Sequence, residues 1–179
     1  MKKLQALEQE EKCRLYYYDE SGFSLTPCLP YAWQPVGETL GLPAEAHSKR
    51  LNVLGFLSRE HDFQYRTVEG RVVKETVIET FNQFVDALPG DRPVYVVLDN
   101  ASTHTSKAFR EAAVGWQERG VTLIYLPPYS PELNLIEILW RMVKYYRLPL
   151  SAYVSFEALK KEVVDTLNKY GSEYRITFS

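Results

Sequence analysis

A chain of 179 residues, 45% hydrophobic and 13% aromatic, is long enough to fill one core and too short to argue for two. Its formal charge of -2, from 21 basic against 23 acidic residues, excludes a protein that holds nucleic acid by bulk charge alone. No apolar run approaches the roughly 20 residues that cross a bilayer, so no membrane segment is expected and the chain reads as cytoplasmic.

Residues 1–12 are polar and helix-prone, with Leu4 and Leu7 on one face, and read as the end of a linker helix ahead of a domain over 13–179. The run Leu15-Tyr16-Tyr17-Tyr18 starts a first strand. That strand is expected to end at Asp19-Glu20-Ser21-Gly22, with a returning strand over 23–26. Residues 27–47 carry Pro27, Pro30, Pro35, Pro43, Gly37 and Gly41 and read as a long irregular insertion. Loops of that length in compact domains are usually functional or disordered. Cys13 and Cys28 stand apart rather than in CxxC pairs, so neither a zinc site nor a disulfide framework is expected.

Residues 51–58 and 63–68 are strand candidates joined by a polar turn containing Glu60, His61 and Asp62. Over 74–88, Val77, Ile78, Phe81, Phe84, Val85 and Leu88 recur at helical spacing until Pro89-Gly90 stops them. Residues 94–98 form a continuous apolar run, the pattern of a strand covered on both faces, and it ends at Asp99. A helix over 106–118, a strand over 121–126, a proline-rich loop, a helix carrying Ile136, Leu139, Trp140 and Val143, and a last helix over 156–170 complete the order. Antiparallel strands followed by alternating helix and strand imply an α/β fold: a mixed five-stranded sheet with helices on both faces, of the ribonuclease-H-like type. Fold alone does not decide function.

Two acids sit where such sheets gather ligands. Asp19 and Asp99 each fall at the expected carboxyl end of a strand. If those strands are neighbours, both carboxylates enter one crevice, and a helix beside it can bring in Glu137. Three carboxylates without Cys or paired His favour a hard cation, Mg²⁺ or Mn²⁺. Two ions about 3.5 to 4 Å apart would serve phosphodiester chemistry. Without metal, clustered carboxylates repel, so raised pKa values are expected. Each acid also has a plainer reading, as a turn residue for Asp19 and as a solvated helix residue for Glu137.

Three segments carry a resemblance. Tyr18-Asp19-Glu20-Ser21-Gly22-Phe23, Leu98-Asp99-Asn100-Ala101-Ser102-Thr103-His104, and residues 126–140 with Ser130-Pro131-Glu132-Leu133-Asn134-Leu135-Ile136-Glu137-Ile138-Leu139-Trp140 together resemble the DDE transposases. The similarity is to bacterial insertion-sequence enzymes related to mariner elements, and it spans nearly the whole chain. It implies Asp19, Asp99 and Glu137 as catalytic and metal-binding acids. Thirty-seven residues lie between the last two, within the family's spacing. Glu132, in the loop, ranks below Glu137. Leu135 replaces the proline common in relatives and is expected to have a small effect.

The resemblance puts His104 and Asn100 beside the acids as site support, although a lone histidine after a strand also caps helices or fills gaps. His47 and His61 lie in polar loops and receive no role. Arg141, Lys144 and Arg147 follow Glu137 at three-residue spacing and are candidates for a DNA-facing stripe, with a solvated helix face as the alternative. Tyr31, Trp33 and Pro35 mark the insertion that relatives use to reach a partner subunit, which implies a homodimer in the DNA complex. Relatives also carry a helix-turn-helix region that recognises transposon ends, and this sequence shows no segment for one.

The expected function is therefore metal-dependent DNA strand cleavage and strand transfer at transposon ends. The alternatives are another ribonuclease-H-like nuclease and an inactive transposase remnant acting as a DNA-binding or assembly module.

Overall fold

The computed structural model of the chain describes residues 2–27, 49–128 and 130–178. Its elements in order are α1 (Lys2–Gln9), β1 (Arg14–Phe23), β2 (Leu51–Ser58), β3 (Phe63–Glu69), α2 (Lys74–Ala87), β4 (Val94–Leu98), α3 (Lys107–Glu118), β5 (Val121–Tyr125), α4 (Ile136–Met142) and α5 (Phe156–Asn168). Short 3₁₀ turns cover Pro131–Leu133 and Leu150–Val154, and a π-helical turn over Val143–Arg147 extends α4. Among the described residues no helix is long and apolar enough to cross a membrane.

The strands form one mixed sheet in the order β3-β2-β1-β4-β5. β1 pairs antiparallel with β2 and parallel with β4, and β4 pairs parallel with β5. The period-two alternation of β1 divides the core. Leu15 and Tyr17 face the layer built from α4 and α5, with Leu139, Trp140, Leu159 and Val163. Tyr16 and Tyr18 face the layer built from α2 and α3, with Phe81, Phe84, Phe109 and Trp116. Covered on both faces, β4 buries Val94, Val96, Val97 and Leu98. Serine caps fix two helix starts: Ser106 accepts from the Phe109 N–H at 3.3 Å, and Ser155 from the Ala158 N–H at 3.1 Å. The mixed five-stranded sheet with helices on both faces is the expected ribonuclease-H-like architecture.

One strand boundary differs from expectation. β1 does not stop at residues 19–22, and no strand returns over 23–26. The ladder to β2 continues from Asp19 opposite Gly55 to Phe23 opposite Leu51, so its backbone hydrogen bonds hold the polar residues in the strand, and β2 is the returning partner. Apart from Pro27, the expected insertion over 27–47, with Tyr31, Trp33 and Pro35, lies outside the described residues, as does Cys28. Cys13 is buried and free.

Candidate active site

Strand register brings the two aspartates together. Tyr17 pairs with Val97 in the parallel β1–β4 ladder, and two residues further along each chain come Asp19 and Asp99. Asp99 follows the last residue of β4, where the ladder releases the backbone. Glu137 lies in the first turn of α4, reached through the turn Pro131–Leu133 and then Asn134. All three acids line one open cleft of about 430 Å³, whose far wall includes Pro127, Pro128 and Asn134. Two amides fasten that wall. The Asn134 Nδ2 donates to the Tyr18 carbonyl at 2.9 Å, and the Asn100 side chain donates to the Leu126 carbonyl.

The extended course of β1 decides what each acid meets. Asp19 continues the odd-numbered face of Leu15 and Tyr17, so it points toward α4, where the Trp140 indole N–H donates to its Oδ2 at 3.1 Å. Burial pushes its carboxyl up, the charges of Glu137 and then Asp99 add to the rise, and it reaches about 7. Glu20 falls on the opposite face. Its Oε1 accepts from the Tyr18 hydroxyl at 3.2 Å and stands 3.4 Å from His104 Nε2.

His104 is the partner of Asp99. Only 3% exposed, it sets Nδ1 2.7 Å from Asp99 Oδ1 and rests against the rings of Tyr18 and Phe109. Burial by itself lowers its pKa, but the hydrogen bond to Asp99, the nearby Glu20 carboxylate and the charges of both outweigh that and raise it to about 9. Both neighbouring carboxylates thus favour the protonated ring. Asp99 responds in the opposite sense to the expected repulsion: the His104 hydrogen bond, helped by the Ala101 N–H at 3.1 Å, holds its carboxyl below the usual range. Burial, with shared charge added, raises Asp19 as anticipated, whereas at Asp99 the hydrogen bond from His104 wins.

The three basic residues that follow Glu137 have different surroundings. Arg141 lies in α4, and Lys144 and Arg147 in the π turn that follows it. Lys144 lies over the Phe23 ring at 5.3 Å and Arg147 over the Tyr174 ring at 4.4 Å, while Arg141 is exposed. Glu132 is exposed and does not line the cleft. His61, at the β2–β3 turn, hydrogen-bonds the Tyr170 hydroxyl at 2.8 Å and stacks on Phe178. Sequence reasoning assigned no site role to Glu20, Asn134 or Trp140. Glu20 was hidden by ending β1 too early, and Trp140 by reading it only as part of an apolar helix face.

Among the described residues no three His, Cys, Asp or Glu side chains stand close enough to hold a metal on their own. The donor set of the cleft still suits a hard cation: its charged groups are all carboxylates, it holds no Cys or His, and burial together with the charge of Glu137 raises Asp19.

The family model for DDE superfamily endonucleases matches residues 14–160, a stretch that contains the whole sheet and all three acids. The chain belongs to this family. No curated protein matches it. Among solved structures, this DDE endonuclease is similar to the Mos1 transposase paired-end complex with left transposon end, at 17% identity and a TM-score of 0.64, covering 95% of this chain and 52% of that one. It is also similar to the catalytic domain of Mos1 mariner transposase, at 14% identity and a TM-score of 0.55, covering 93% and 81%. A simian T-cell lymphotropic virus intasome matches at 14% identity and a TM-score of 0.57, covering 91% and 50%. At these identities the likeness is one of fold, and the chain spans about half the length of the full Mos1 chain.

Proposed function

We propose that this DDE endonuclease is the catalytic domain of a transposase, that it cuts and joins DNA strands at transposon ends, and that Asp19, Asp99 and Glu137 hold the divalent cations it uses. The single observation that carries the reading is the convergence of these three acids on one cleft of an endonuclease fold. Mos1 paired-end complexes with Mn and with Mg support Mg²⁺ or Mn²⁺ as the ions. When bound, a pair of such ions would activate an attacking water or 3′-hydroxyl and stabilise the departing oxygen. Mg²⁺ is usually held by one or two carboxylates plus water and phosphate oxygens, which fits a site whose acids do not close up by themselves.

The chain's own groups have distinct parts. His104, held as an imidazolium between Glu20 and Asp99, keeps Asp99 ionised and turned by its Oδ1, so that its other oxygen is left for the cleft. Asn100 anchors the loop that follows Asp99 to the Leu126 carbonyl, and Asn134 ties the entry of α4 to the backbone beside Asp19. Asp19 retains a proton up to about pH 7 and must give it up as a cation binds. Arg141 is the residue of the expected stripe best placed to meet a phosphate, since it is exposed and, among the described residues, has no ring contact of the kind that engages Lys144 and Arg147.

DNA is the proposed substrate. Recognition of element ends falls, in this reading, to a helix-turn-helix region separate from the residues seen here, and a homodimer forms in the DNA complex. The test is incubation of the chain, with and without a separately supplied DNA-binding region, with Mg²⁺ or Mn²⁺ and element-end duplex. Nicking or strand transfer that Asp99→Asn abolishes is expected. Preferential cutting of an RNA–DNA hybrid would favour a different ribonuclease-H-like nuclease, and metal-dependent cleavage that survives Asp99→Asn would overturn the assignment.

A further inference from the structure

Trp140 lies on α4 three residues after Glu137, and only 2% of it is exposed. A tryptophan in that position has an ordinary explanation, since indoles fill cores and their N–H usually finds an acceptor. Here the acceptor is Asp19 Oδ2 at 3.1 Å. The helix that carries one acid therefore grips the carboxylate that carries another.

The indole can reach Asp19 only because of what lies beneath it. Its six-membered ring passes over β2 at Gly55, the residue directly opposite Asp19 in the β1–β2 ladder. A Cβ on Gly55 would stand 2.9 Å from Trp140 Cη2, 3.0 Å from Cζ2 and 3.1 Å from Phe63 Cε2. Phe63 packs edge-on to the indole, with centroids 6.1 Å apart and planes at 70°, so the ring has a neighbour on that side as well. Gly55 sits inside a strand buried along its whole length, where glycine is otherwise unfavourable, and close approach of another group is the usual reason for keeping one there.

We infer that Trp140 is the positioning residue for Asp19. It sets the carboxylate's orientation and its separation from Glu137, and Gly55 is the cleared space that lets it do so. With one oxygen of Asp19 held by the indole, the rotamer is fixed before any cation arrives. Groups that orient metal-binding carboxylates in this way typically account for about 10- to 100-fold in metal affinity or activity. The inference rests on the proposed role of Asp19, Asp99 and Glu137 as cation-binding acids.

The experiment is calorimetric titration of the full chain with Mn²⁺ for the parent, Trp140→Phe, Gly55→Ala, Asp99→Asn and Trp116→Phe. Trp116 is the control: it is equally buried, and its indole N–H bonds Asn82 Oδ1 at 2.7 Å in the α2–α3 layer on the other face of the sheet. Trp140→Phe keeps an aromatic ring and loses the N–H, while Gly55→Ala keeps the N–H and displaces the ring. Both should weaken Mn²⁺ binding about tenfold or more, and Trp116→Phe should leave it unchanged. In strand cleavage the two should lower kcat while the KM for DNA stays at the parent value.

Mn²⁺ affinity in Trp140→Phe equal to that of the parent would show that Trp140 is only a core residue. Equal losses in Trp140→Phe and Trp116→Phe would trace the effect to general loosening and overturn the inference too. If Trp140→Phe does not fold, Gly55→Ala decides alone. A parent that takes up no Mn²⁺ overturns the acid-cluster reading and this inference together, whereas uptake lost in Asp99→Asn and kept in Trp140→Phe and Gly55→Ala overturns this inference only.

Discussion

Asp19 and Asp99 stand side by side at neighbouring strands yet live in opposite environments. Asp99 is 54% exposed at its side chain and leans on the buried His104 ring, so its charge is supplied with a partner inside the fold. Asp19 receives one neutral indole N–H and has Glu137 and Asp99 as charged neighbours, so among the described residues no cation offsets the cost of its burial. The difference teaches that orientation and charge are supplied separately: both acids are held by a neighbouring N–H, but only Asp99 has its charge balanced by a partner within the fold. Proximity of acids alone would have raised both.

That contrast can be broken at either acid. The largest effect is expected from Asp99→Asn, which removes the ionised, already oriented oxygen and should abolish strand cleavage, read in a gel assay on element-end DNA. His104→Phe should follow. It keeps a ring against Tyr18 and Phe109 but takes away the partner of Asp99, and a loss of about 10- to 100-fold in cleavage is expected.

The same change should cost about 1 to 3 kcal/mol of folding stability, measured by urea unfolding. The pKa of His104 is raised from 6.5 to about 9, so its contribution is fully present below pH 6.5 and lost as pH climbs through about 9. The parent and His104→Phe should therefore converge in stability at the alkaline end. A stability gap that widens there instead would contradict the assigned hydrogen bonds.

Asp19 sharpens the comparison through metal. Its folded pKa of about 7 lies above its ordinary value of 3.8, so ionising it weakens the folded state as pH rises between those values, and below about 7 a cation must displace a proton. Thermal stabilisation by Mn²⁺ should be small at pH 5 to 6 and grow through about pH 7, and Asp19→Asn should flatten that rise. The smallest effect concerns DNA contact. Arg141→Ala should weaken DNA binding with a salt slope lower by about 1, and Lys144→Ala, whose ammonium already lies over Phe23, should change that slope less.

Most of the fold was legible because its strands and helices announce themselves by period and by stops. The apolar run at β4, the helical spacing over α2, and the Pro89-Gly90 stop are signals that one sequence carries by itself. The course of β1 was not legible. Asp19-Glu20-Ser21-Gly22 has the composition of a turn, and only pairing with β2, far along the chain, keeps it extended. Misplacing that boundary concealed the parity that sends Asp19 to Trp140 and Glu20 to His104. The three acids could be named from motifs and strand ends, but whether Asp99 would be raised or lowered depended on His104 turning inward, which no spacing reveals. The surroundings of Arg141, Lys144 and Arg147 were not legible for a related reason: a π turn follows α4, and the aromatic partners Phe23 and Tyr174 come from other segments.

The central claim is that Asp19, Asp99 and Glu137 form one divalent-cation site. Calorimetric titration with Mn²⁺ at neutral pH, on the parent and on Asp19→Asn, Asp99→Asn and Glu137→Gln, tests it most directly. The account predicts saturable binding by the parent that each single change weakens by about tenfold or more. Binding of equal affinity in all four proteins, or none in the parent, would contradict it.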